Sequence, residues 1–261
     1  MKKKSEVKCK SRKITKRFRA FLVAAALVFC LATANYAAAQ AGPATVFLGS
    51  AGTYAVLGAS TVTSTGPTTV NGDLGVWSGT AYVPGTPAAT VNGSIHAGDV
   101  IAQHAQASAA IAYNDAKGRT TAPILLAGDL SGKTLAPGLY KSTSSLEILG
   151  TLTLHGSGVY IFQVASALTV GNGGTIVLSG GATADNVFWQ VGSSATLGTT
   201  ANFKGTIMAL ASVTLATGAR LDGRAMALTA AVTLDSNNVT IPIGSNTVIV
   251  VLPPPPPHNR D

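Results

Sequence analysis

Charge, aromatic rings and cysteine are all scarce in this sequence. Only 11% of its 261 residues are charged, which excludes a highly charged coiled coil. Hydrophobic residues reach 46%, so low charge does not mean disorder, and with aromatics at 6% that apolar content is mostly aliphatic. The two cysteines, Cys9 and Cys30, both lie near the N-terminus, and acidic residues are few and scattered. What is abundant is small: 29 glycines, and 29 of the 31 threonines lie beyond residue 39.

The net charge of +8 would ordinarily suggest nucleic acid or an acidic membrane surface as a partner. Its location removes that inference. Ten of the 18 Lys and Arg residues fall between Lys2 and Arg19, ahead of the 15-residue apolar run Ala20–Ala34 and the small residues Ala37-Ala38-Ala39-Gln40. A basic stretch, a short apolar core and an A-x-A site describe a secretory signal, expected to span residues 1–39 with cleavage near Ala39–Gln40. A retained anchor is the other reading, but this run falls short of the roughly 20 residues that span a bilayer. Beyond residue 39 there are eight basic and nine acidic residues, a net charge of −1. Both cysteines leave with the leader, so the mature chain has no thiol, disulfide or Cys-based metal site. No nucleic acid and, after cleavage, no membrane is expected as a partner, and a monomer is expected.

Internal repeats decide the architecture. Ala195-Thr196-Leu197-Gly198-Thr199 recurs as Val213-Thr214-Leu215-Ala216-Thr217 and again as Val232-Thr233-Leu234-Asp235-Ser236, at nearly equal intervals. Phe203-Lys204-Gly205 matches Leu221-Asp222-Gly223, and Thr69-Val70-Asn71-Gly72 returns as Thr90-Val91-Asn92-Gly93. A period of roughly 20 residues, rich in Val, Thr, Ile and Gly, predicts the coils of a β-solenoid, three short strands and three corners to a turn. The stretch Ala97–Lys117 breaks this pattern. It is Ala-rich, and Val100, Ile101, His104, Ala107, Ser108, Ile111 and Ala112 fall at helical spacing, predicting one long helix over about 97–117 that ends at Gly118. The solenoid is expected over residues 40–247, followed by a stiff Pro-rich tail, 248–261, with five prolines from Pro253 to Pro257.

Alternation along the strands separates three faces. On the first, Thr196, Thr214 and Thr233 point outward between buried aliphatic neighbours, Thr153 and Thr169 extend the same column, and the corner residues Thr199, Thr217 and Ser236 form a second, parallel file. The second face buries Phe203 and Leu221 and presents Asn202, Lys204, Arg220 and Asp222 to water. The third, with Val187-Phe188-Trp189 and Ile207-Met208-Ala209, is apolar at both parities and must be covered on both sides. The helix is the element available to cover it.

Catalysis finds no support. Solenoids that cleave acidic polysaccharides need clustered carboxylates for Ca²⁺ and a basic partner. Here Glu147 is the single Glu beyond the leader, and no two of the eight Asp there sit two apart on one strand. His96, Asp99 and His104 could suggest a metal site only if His96 were helical, and it precedes the helix. No enzyme activity, cofactor or metal is expected.

These residues resemble a known family, the secreted β-solenoid ice-binding (antifreeze) proteins of cold-adapted bacteria, fungi and algae. The matching stretches are Val46–Leu57, Ser60–Gly66, Pro137-Gly138-Leu139-Tyr140, Asn186–Val191 and Ala231–Asp235, spread over about residues 45–242. The resemblance implies a mostly β fold: a right-handed, discontinuous solenoid of triangular section with one long helix alongside. It also implies adsorption to ice, through ordered water, by a flat face carrying Thr-x-x-Thr-like motifs. Thr196–Thr199 and Thr214–Thr217 fit that motif, Thr233–Ser236 departs from it at Asp235, and Thr63 and Thr65 are the N-terminal additions. A surface adhesin or matrix protein binding carbohydrate through the same hydroxyl grid remains the alternative at this point.

Overall fold

The structure, a computed structural model, describes residues 42–242; the expected leader and Pro-rich tail lie outside the described residues. Every strand pairing is parallel, as expected of coils stacked on one another. Eight strands form one face, in the spatial order Ala81–Val83, Thr61–Thr65, Val232–Asp235, Val213–Leu215, Ala195–Leu197, Leu168–Val170, Leu146–Ile148, Gly128–Asp129. The remaining 15 strands form the other two faces. Two of them, Asn202–Ala209 and Arg220–Ala227, are long enough to turn the corner between those faces without a break. They do so at Gly205 (φ +106°) and Gly223, stacked so closely that a Cβ on Gly223 would sit 1.9 Å from the Gly205 carbonyl oxygen. Only glycine fits there.

The spatial order is not the chain order. Thr61–Thr65, near the beginning of the described chain, pairs with Val232–Asp235 near its end, and Tyr54–Gly58 pairs with Arg220–Ala227. The solenoid is therefore discontinuous, as expected. Its interior is lined by Val and Leu, with one aromatic column: Tyr140, Phe162 and Trp189 stack in register, the Phe162 and Trp189 rings 3.8 Å apart, and Phe203 tilts against Trp189 at 5.2 Å.

The helix runs over Val100–Gly118 and lies on the face that is apolar at both parities. Asp99 caps it, Oδ1 accepting from the Ala102 N–H at 2.8 Å. Two glutamines fasten it: Gln106 Nε2 donates to the Ala227 and Leu228 carbonyls, and Gln163 Nε2 to those of Ala116, Lys117 and Arg119. The buried face differs from the expected one. Ala102, Ala105, Gln106, Ala109, Ala112, Tyr113 and Ala116 are buried, whereas Val100, Ile101 and Ile111 are more than half exposed. The bulk needed at this interface comes from the sheet, through Tyr54, Ile161, Phe188, Met208 and Met226, so alanine on the helix allows close approach. The helix is also not the sole cover, since Val46, Leu48 and Ala51 pack into the same cluster. The fully buried Arg224 holds that N-terminal segment, its Nε donating to the Gly52 carbonyl at 2.9 Å. Ala109→Leu should overpack this interface and cost about 1–3 kcal/mol. Ile111→Gln, on the exposed side, should stay within about 0.5 kcal/mol of the parent. Urea unfolding of both variants checks the assignment, and equal effects would contradict it.

Candidate functional site: the threonine face

The eight-stranded face carries the threonines. Cross-strand register aligns Thr63, Thr233, Thr214, Thr196 and Thr169 as direct neighbours on five adjacent strands. Their flanking residues, such as Val213 and Leu215, are buried, so the threonines stand on the outer surface. At about 4.8 Å per strand the file is about 19 Å long. Among the described residues none of the five hydroxyls is engaged by another protein group, leaving each free to bond water. Two residues upstream of each threonine come Thr61, Ala231, Ser212, Ser194 and Ala167, a run of small side chains in which Ser212 Oγ and Ser194 Oγ are 2.9 Å apart. The ends of the main file are marked by a change in chemistry. Val83 follows Thr63 at one end, and the carboxylates Glu147 and Asp129 follow Thr169 at the other.

The parallel file runs along the corner, set by backbone geometry. Gly173, Thr200, Gly218 and Ser236 all have φ between +54° and +70°. Their N–H groups donate to the carbonyls of Thr199, Thr217, Asp235 and Thr65 respectively, at 2.8–3.0 Å. The stacked corner residues are thus Thr199, Thr217, Asp235 and Thr65. Ser236 does not belong to this file. Only Asp235 separates Leu234 from the left-handed turn residue, against two residues after Leu215 or Leu197, so Ser236 takes the turn position and Asp235 the exposed one. Thr217 Oγ1 and Ser236 Oγ both donate to the Asp235 carboxylate, and these bonds, Thr217 first, hold its pKa below the usual carboxylate value.

Thr153 is also placed elsewhere. It lies on Thr151–His155, paired with Thr134 and Val177 on the second face. The sequence holds a clue: the step from Thr153 to Thr169 is shorter than the step from Thr196 to Thr214, which is one full coil. The column position beside Thr169 belongs instead to Glu147, flanked by the buried Leu146 and Ile148, and its Leu-Glu-Ile alternation is the signal that places it. On the second face Lys204 and Asp222 pair at 3.4 Å beside the exposed Arg220, and Asn92, Asn71 and Thr240 form a hydrogen-bonded ladder. His96 Nδ1 sits 2.7 Å from Asp99 Oδ2, which ties it to the helix cap. Among the described residues no three His, Cys, Asp or Glu side chains converge, and no helix is long and apolar enough to cross a membrane.

The sequence profile of a family described as "Ice-binding-like" matches residues 56–240. The chain belongs to this family. It is 46% identical over 198 residues to an ice-binding protein of Nostoc sp. (strain HG1), covering 74% of this chain and 73% of the relative. An ice-binding protein of Flavobacterium frigoris (strain PS1) is 38% identical, with 76% of each chain covered. Among solved structures, an ice-binding protein from an Antarctic biological consortium superposes with a TM-score of 0.75 at 44% identity, over 77% of this chain and 93% of that one. An ice-binding protein from an Arctic yeast gives a TM-score of 0.70 at 33% identity, over 79% and 98%. Other members of the ice-binding-like family share this architecture, and the resemblance read from the repeats is a true family relationship.

Proposed function

We propose that the chain is an antifreeze protein that adsorbs to ice through its threonine face and so slows ice growth and recrystallisation. The observation that carries this reading is the register of five free hydroxyls, Thr63, Thr233, Thr214, Thr196 and Thr169, with no charge among them. Each hydroxyl can hold one water. Each methyl discourages the water around it from taking other orientations, so the strand spacing templates an ordered layer. A layer matched to a crystal plane fixes the protein to it, the front between bound molecules must grow curved, and curvature opposes further growth. The corner residues Thr65, Thr217 and Thr199 widen the grid, and Asp235 interrupts it with a charge that favours liquid-like hydration. The names of the family relatives support the same chemistry.

The leader and the near-neutral mature chain support secretion, with residues 1–39 removed near Ala39–Gln40 and the Pro-rich tail, 248–261, acting as a spacer. The protein works as a monomer with ice as its partner and without catalysis, metal or cofactor. Ice-affinity partitioning of the purified mature chain tests the proposal. Incorporation into a slowly growing ice hemisphere is expected; exclusion would overturn it and leave the hydroxyl grid to a carbohydrate.

A further inference from the structure

A cavity of about 280 Å³ opens at the C-terminal end of the helix, away from the threonine face. It exists because the helix stops before the sheet does. One outward column of the covered face runs Lys141, Gln163, Gln190, Met208, Met226 in register, and the helix covers both methionines. Tyr113 and Lys117, on its last turns, roof the glutamines, and Lys141 and Leu210 complete the walls.

The polar groups here are not all used by the fold. Gln163 spends its amide nitrogen on the Ala116, Lys117 and Arg119 carbonyls at the end of the helix, while its Oε1 bonds to no described residue. Gln190 lines the cavity, and its amide bonds to no described residue, which leaves it to water. The Tyr113 hydroxyl is buried and without a partner among the described residues. The Gln190 amide and Gln163 Oε1, which line the cavity and bond to no described residue, are thus left for a ligand that displaces the water on them. At the mouth, the exposed Lys117 and Lys141 have no carboxylate partner among the described residues; the Lys117 ammonium stands 5.8 Å from the centre of the Tyr113 ring.

We propose that this cavity binds a single acidic sugar unit, a uronate, free or within an extracellular polysaccharide. Its carboxylate faces Lys117 and Lys141, its hydroxyls meet the Gln190 amide and Gln163 Oε1, and its C–H face lies on Leu210 and the Tyr113 ring. A neutral sugar would leave two ammonium groups idle, and a phosphate would leave the amides and the apolar wall idle. The volume suits one six-membered ring. None of the residues lining the cavity lies on a strand of the eight-stranded face, so an occupant leaves the five-threonine file uncovered. The protein could then be held in an anionic polymer while its threonines remain free.

Titration of the mature chain with D-glucuronate, followed by NMR of the glutamine side-chain amides, tests this. Saturable shifts at Gln190 are expected with glucuronate and none with D-glucose. Lys141→Ala, which removes an exposed side chain that bonds to no described residue, should weaken glucuronate about fivefold. Gln190→Leu should weaken it further, with its fold verified by circular dichroism. An equal response to glucose, an equal response to inorganic phosphate, or an affinity unmoved by Lys141→Ala would each overturn the proposal.

Discussion

Thr214→Tyr should lose most of the thermal hysteresis of the parent protein while keeping its unfolding temperature. Thr214 is the middle of the five-threonine file, paired with Thr233 on one side and Thr196 on the other. Its side chain points away from the core, between the buried Val213 and Leu215, so a larger residue there meets no interior packing. A phenol standing above its neighbours holds the rest of the file off any planar surface, and its ring carries no hydroxyl at the strand spacing. One substitution thus spoils the contact of several residues. Thr153→Tyr is the control: it lies on the second face, so hysteresis should be unchanged. Measurement of hysteresis by nanolitre osmometry decides between them. Equal activity in parent and Thr214→Tyr would sink the threonine-face assignment, and a loss in Thr153→Tyr would move the site to the second face.

The second large effect is on stability. Trp189→Ala should cost about 3–5 kcal/mol. Trp189 is fully buried and stacked on Phe162 with an interplanar angle of 7°, with Phe203 against it and its Nε1 donating to the Lys204 carbonyl at 3.2 Å. Truncation empties the middle of the aromatic column in the solenoid interior, and parallel coils cannot close the gap without dragging their neighbours out of register. Urea unfolding followed by circular dichroism reads the change. A loss under about 1 kcal/mol would mean the coils collapse around the void, contrary to the packing described.

Much of this is legible because the coils repeat nearly verbatim where they are most regular. Thr196, Thr214 and Thr233 recur at nearly equal spacing, and the structure puts them side by side. Thr169 follows from alternation alone, and the face needing a cover on both sides is visible in Val187-Phe188-Trp189. The errors have physical sources. Leu152-Thr153-Leu154 has the same local pattern as Leu168-Thr169-Val170, since every face of a solenoid buries alternate residues; only coil length tells them apart. Ser236 is displaced by a corner one residue shorter than its neighbours, which spacing alone conceals. Large apolar residues on a helix ordinarily face inward, whereas here the sheet supplies the bulk and the helix is fastened by alanines and two glutamines. The meeting of Thr63 with Thr233 has no sequence signal, because nothing in either strand specifies a partner at the opposite end of the described chain.

That meeting also sets a clock. A chain made from its N-terminus can pair one edge of Thr61–Thr65 with Ala81–Val83 early. The other edge stays open until Val232–Asp235 has been synthesised, so the second strand waits for the last but one. Contacts of such sequence separation make for slow folding, and the waiting edge is a template for mispairing with another copy. Its own residues, three threonines and a serine around one valine, give a stray strand little apolar surface to hold. The composition that suits the finished surface to water thus also guards the unfinished protein against aggregation, and any variant that makes Thr61–Thr65 more apolar should lower the yield of folded protein before it touches activity.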